Sequence, residues 1–115
     1  MSDKTNAINI SVVLVQEENG GWSAQCLEYD LAAQAPSLPD LRYELQRVLL
    51  GHIYASVDLG REPFQNIGPA PRRFWELYDG AKLRIESDDI PFRHPNPGLY
   101  PPINPRLKIA EHPAS

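Results

Sequence analysis

The chain has 115 residues, 42% of them hydrophobic and 23% charged, with a formal net charge of -4. This suits one domain with a usable core. The excess of acids speaks against a nucleic-acid binder, which needs a basic face, and leaves room for a basic protein partner. The single cysteine, Cys26, excludes an internal disulfide. Met1 to Asn6 lack the apolar stretch of a signal peptide, and no apolar run approaches the roughly 20 residues of a bilayer span. A cytoplasmic protein without membrane contact is expected.

Residues 1–7 are polar and expected to be loose. From Ile8 an alternating pattern begins, with Ile8, Ile10, Val12 and Leu14 on one face. Alternation and β-branched side chains predict a strand. Its other face turns apolar at Val13 and Val15, as in a strand partly covered on both sides. Glu17-Glu18-Asn19-Gly20-Gly21 is the clearest turn. Its Asn-Gly pair is expected to supply the two positive-φ positions of a two-residue hairpin. Trp22, Ala24 and Cys26 share a face of the second strand. A short connection leads to a weak third strand through Leu31, Ala33 and Ala35.

Ser37 is placed to cap a helix, with Pro39 in the first turn and Asp40 three residues on. The helix is expected to run to about Leu59 and to stop at Gly60. Leu38, Leu41, Leu45, Val48, Leu49 and His52 form one stripe, and Tyr43, Leu50, Tyr54 and Val57 form another. A helix lying on one sheet needs only one stripe, so something else must cover the second. Pro71 opens a second helix, Arg72 to Asp79, which Gly80 closes. Its Phe74, Trp75, Leu77 and Tyr78 make it the expected cover. Lys82 to Ile85 follow as a candidate fourth strand.

Beyond residue 86 the chain is rich in proline. Prolines rule out a helix and suit extended chain. Leu99, Tyr100, Ile103, Leu107 and Ile109 are too apolar for a solvated tail. The segment is expected to lie across a surface, its own or that of a neighbouring copy. The reading is an α+β domain over residues 1–86, a small, mainly antiparallel sheet of three or four strands with the long helix on one face. Residues 87–115 form an extended tail, not a second domain.

Residues 20–29, Gly-Gly-Trp-Ser-Ala-Gln-Cys-Leu-Glu-Tyr, and 33–41, Ala-Gln-Ala-Pro-Ser-Leu-Pro-Asp-Leu, resemble the N-terminal domain of HicB-type antitoxins over about residues 8–60. The family's pattern is a Gly-aromatic second strand, a third strand ending in Gln-Gly and a capped helix. Cys26 stands where the family has Pro, and Ala35 where it has Gly. The DNA-binding module that many members carry next is replaced here by the aromatic helix and the proline-rich tail, so direct DNA binding is not expected. The resemblance implies a partial ribonuclease-H-like fold without its active site, oligomerisation, and binding of a small basic toxin.

The chemical candidates are few. A two-metal nuclease needs carboxylates converging on cations about 4 Å apart, and the first strand, Ile8 to Gln16, has no acid. Glu28 and Asp30 read as a solvated loop pair. Cys26 shares a face with Trp22 and Ala24 and reads as a buried small hydrophobe. His52 reads as a hydrogen-bonded histidine at the core edge. His94 and His112 have no ligand spacing for zinc. Arg72-Arg73 beside Phe74 and Trp75 could stack on bases, but reads as a helix start with inward aromatics. Pro102-Ile103-Asn104-Pro105 fits a proline-ligand pattern, for which a packing role is preferred.

The sequence thus points to a non-enzymatic, homo-oligomeric interaction module without cofactor or metal. Its partners are a second copy and a small basic protein. The candidate interaction residues are Tyr43, Leu50, Tyr54, Val57, Phe74, Trp75 and Tyr100. The alternative is a degenerate nuclease or a small-ligand-binding protein.

Overall fold

A computed structural model describes residues 8–85 and 103–110. The chain forms β1 (Ile8–Gln16), β2 (Trp22–Cys26), β3 (Ala32–Ala35), α1 (Leu38–Asp58), α2 (Arg72–Gly80), β4 (Leu83–Ile85) and β5 (Ile103–Ile109). The architecture is α+β, and the β-β-β-α order of the first half matches the sequence reading. The five strands make one sheet in the order β3-β2-β1-β5-β4. All neighbours are antiparallel except β1 and β5, which run parallel.

The sheet has one strand more than expected, and the extra one comes from the proline-rich segment. Residues 103–109 do not lie across a surface. They fill the sheet between β1 and β4, with Ile8 to Leu14 registered on Ile103 to Ile109. The physical reason lies in β1. Its residues Ile10 to Leu14 are buried on both faces apart from half-buried Ser11. Such a strand belongs inside a sheet, with a neighbour on each side. Pro105 is tolerable because β4 reaches only to Leu107, so Pro105 has a described strand on one side only. Prolines in sheets sit where one side of the ladder is open. Pro102-Ile103-Asn104-Pro105 is accordingly not a free ligand, since its last three residues belong to β5.

Side chains alternate across the sheet and build two cores. On one face Ile10, Val12, Leu14, Ala24, Cys26, Ala33 and Leu107 meet Leu41, Leu45, Leu49 and Ile53 of α1. On the other, Val13 and Leu27 meet Ala70 and Ala110, with Phe74, Trp75, Leu77 and Tyr78 of α2 packed against them. The helix α2 therefore does not cover the second stripe of α1. It packs on the opposite face, where the apolar Val13 and Val15 need it. In the second stripe, Leu50 is buried and Tyr54 and Val57 pack against the first core, while Tyr43 remains 66% exposed. Ile53, not His52, continues the buried stripe.

Local signals explain the element ends. Ser37 Oγ accepts from the Asp40 amide, and a proline sits in the first turn of α1. At the other end the Gly60 amide donates to Val57 O, and the Arg61 amide donates to Ser56 O. With Gly60 at φ 71°, this is the double-bonded stop that favours glycine. The hairpin differs from the expected two-residue turn. Glu17 and Gly21 pair through a 2.7 Å bond, the Gly20 amide donates to Glu17 O, and of the two turn residues Asn19 and Gly20 only Gly20 has positive φ. It is a three-residue loop in which one glycine, not Asn-Gly, supplies the left-handed position. Asn19 instead accepts from the Gly21 amide through Oδ1 at 2.8 Å.

Residues 59–71 carry the chain from one face of the sheet to the other. The passage is fastened to the end of β2, where the Ala70 amide donates to Leu27 O and the Asp30 amide to Gly68 O. Leu27 O is thereby lost to β1, and Ser11, the next residue along β1, takes another partner. Glu28 accepts from the Ser11 amide at 2.7 Å and from Ser11 Oγ at 2.8 Å. Glu28 is thus no solvated loop acid; it finishes the ladder with a side chain. Replacing Glu28 by Ala should cost about 1–3 kcal/mol by stranding a partly buried donor. Glu28→Gln, which keeps one acceptor, should cost less. Urea unfolding of the two variants checks the ranking.

Candidate functional site

A shallow groove of about 820 Å³ lies at the hairpin end of the sheet. The β1–β2 turn brings Glu17 and Glu18 to it, β2 brings Trp22, β3 ends in Gln34 and Ala35, and α2 contributes Leu77. Glu17 accepts a short hydrogen bond from Ser23 Oγ, which holds its carboxylate in place. Glu18 is exposed. A half-buried Trp22 beside two carboxylates and an amide side chain offers apolar area and negative charge together. That combination suits a basic peptide surface better than a reacting small molecule. In the sequence these residues show only as a turn and a strand. The signal was there in the adjacent acids Glu17 and Glu18, but the groove exists only once β3 and α2 close around them.

The candidate interaction residues do not form one surface. Tyr43 stands in solvent on α1, and Leu50, Tyr54 and Val57 are largely spent on packing. Phe74 and Trp75 lie on the far side of the sheet, half-buried, with Trp75 Nε1 donating to Ala70 O at 3.2 Å. The inward reading of these two aromatics agrees with that. Tyr100, like His94 and His112, lies outside the described residues.

The groups with chemical potential are separated and occupied. Cys26 is fully buried in the first core. Burial, helped by the charge of Glu28, pushes its thiol from 9.0 up to about 12. A thiolate nucleophile is disfavoured there. His52 is exposed on α1, in a shallow hollow of about 430 Å³ with Arg47, Val48, Gly51 and Ala55. It is therefore a surface histidine and not one at the core edge, and its ring lies 6.3 Å from that of Phe64. Glu28 turns to Ser11, while Asp30 accepts from Gln25 Nε2 at 2.8 Å. Among the described residues no group of three His, Cys, Asp or Glu side chains is placed to hold a metal ion. Nor is any described helix long and apolar enough to cross a membrane.

Cys26 carries its own prediction. At pH 8 a thiol-specific disulfide reagent should leave it unmodified in the folded protein and modify it fully in denaturant. The unfolded thiol ionises near 9.0 and the folded one near 12. Between those values the unfolded chain binds fewer protons, so stability should fall as pH rises through that window. A Cys26→Ala variant should lose this slope.

Comparison with family models, with characterised proteins and with solved structures finds no match to this chain.

Proposed function

We propose that the chain is a non-enzymatic protein-interaction module similar to HicB-type antitoxin domains, acting as a homo-oligomer that binds a small basic protein. The observation that carries this reading is the hairpin-end groove, where exposed Glu17 and Glu18 and half-buried Trp22 line a hollow beside the edge strand β3. The β-β-β-α order of residues 8–58 supports the resemblance. Residues 8–71 also hold only Arg42, Arg47 and Arg61 against eight carboxylates, which suits a basic partner. For self-association, β3 ends the sheet, and it is uncharged and free of proline. An edge of that kind accepts another strand.

Affinity capture from the native cell extract, followed by titration of the captured protein, tests the partner. A small basic protein whose binding weakens at least ten-fold in a Glu17→Gln, Glu18→Gln variant supports the reading. Recovery of the chain alone contradicts it. Light scattering tests the oligomer, and a monomer at high concentration counts against self-association.

A further inference from the structure

The acid excess of the whole chain conceals one basic face that only the fold assembles. Residues 72–84 and 103–110 hold Arg72, Arg73, Lys82, Arg84, Arg106 and Lys108 against Glu76 and Asp79 alone. In sequence these cations stand in two groups more than twenty residues apart. Insertion of β5 between β1 and β4 makes them neighbours. Arg84 is registered on Lys108, so both side chains project from the same face. Arg106, two residues back along β5, shares that face and lies about 7 Å away at the ordinary strand rise.

The face is the one that carries α2, because Lys108 Nζ stands 4.3 Å from the centre of the Tyr78 ring and 3.4 Å from Tyr78 O. That contact fixes Lys108 as the anchor of the row. Arg84 and Arg106 are exposed, and among the described residues no carboxylate lies within ion-pair distance of either. Past Arg106 the row continues in amides, where Asn104 Nδ2 donates to Asn9 Oδ1 at 2.9 Å. Glu28, at Ser11 beside Arg106 in the register, bounds the row on the β2 side. On α2 itself the Arg73 guanidinium lies 4.5 Å from the Phe74 ring centre.

We propose that this face binds the phosphate backbone of a nucleic acid, with Arg84, Arg106 and Lys108 as the phosphate contacts. A row of cations continued by amide side chains is the donor set that phosphodiester oxygens take. The local field governs such encounters more than the net charge does. No base-reading group is implied, so binding is backbone-directed and steep in salt.

The test is fluorescence anisotropy with the full chain and three labelled probes: a single-stranded RNA, a DNA duplex of matched length and poly-glutamate. Each is measured at 50 and 200 mM salt. Wild type should bind at least one nucleic acid more tightly than poly-glutamate, and the RNA and DNA arms identify which. The Arg84→Gln, Arg106→Gln double variant should lose about ten-fold or more, with a salt slope shallower by about 1.4–1.8 for two lost phosphate contacts. Arg84→Lys with Arg106→Lys should retain binding, and Arg47→Gln, on the outer surface of α1, should leave it unchanged. Absence of nucleic-acid binding, equal affinity for poly-glutamate, or full affinity in the double glutamine variant would each overturn the proposal. Both arginines are exposed, so the double variant should fold, and its circular dichroism spectrum checks this.

Discussion

Ending the chain after Pro102 should abolish cooperative folding. The cut removes β5, an interior strand that registers with seven residues of β1 and all three of β4. It exposes one side of β1, takes Leu107 out of the first core and detaches β4 from the sheet. Each buried side chain of this size is worth about 1.5–3 kcal/mol. Leu107, Ile103 and Ile109 together with the lost ladder therefore approach the ~5–15 kcal/mol that a whole domain has. Thermal melting followed by circular dichroism is the measurement. A sharp transition close to that of the full chain would mean that residues 103–109 are dispensable and the sheet is not built this way.

The second large effect is at Phe64. This residue has φ 62°, a left-handed conformation that costs an L-residue roughly 1–2 kcal/mol. It is held there because the ring is buried and stacked on Tyr29, with centroids 4.6 Å apart, where the passage between the two faces meets the first core. Phe64→Ala should destabilise by about 3–5 kcal/mol. Glycine tolerates the backbone angle, so Phe64→Gly should be the more stable of the two variants by about 1 kcal/mol. In an ordinary core position the alanine variant would win. Urea unfolding of both variants gives the order.

What the sequence made legible follows from local physics. Alternation in Ile8–Gln16, the Ser37 cap, Gly60 and the Pro71 to Gly80 frame each encode an element within a few residues, and each element spans nearly the residues expected of it. Non-local pairing was not legible. Nothing near Ile103 announces a strand, because three flanking prolines imitate an extended tail. The demand for that strand is written ninety residues earlier, in Val12 and Val13, which are both buried. The placement of α2 failed for a related reason. The stripe Tyr43, Leu50, Tyr54 and Val57 reads in sequence as needing a cover, whereas it is Val13 and Val15 on the back of β1 that α2 covers. The hollow at Glu17 and Glu18 and the row at Arg84, Lys108 and Arg106 were hidden because both are made by strands and helices distant in sequence.

The five-stranded sheet and the basic face depend on one arrangement, the parallel seating of β5 against β1. Two-dimensional nuclear Overhauser spectra, with amide hydrogen exchange on the same sample, test it most directly. Cross-peaks should link residues 10–14 of β1 to residues 105–109 in the register that pairs Val12 with Leu107, and the paired amides of β5 should exchange as slowly as those of β1. Rapid exchange throughout 103–109 with no contacts to β1 would contradict the fold and remove the basic face with it.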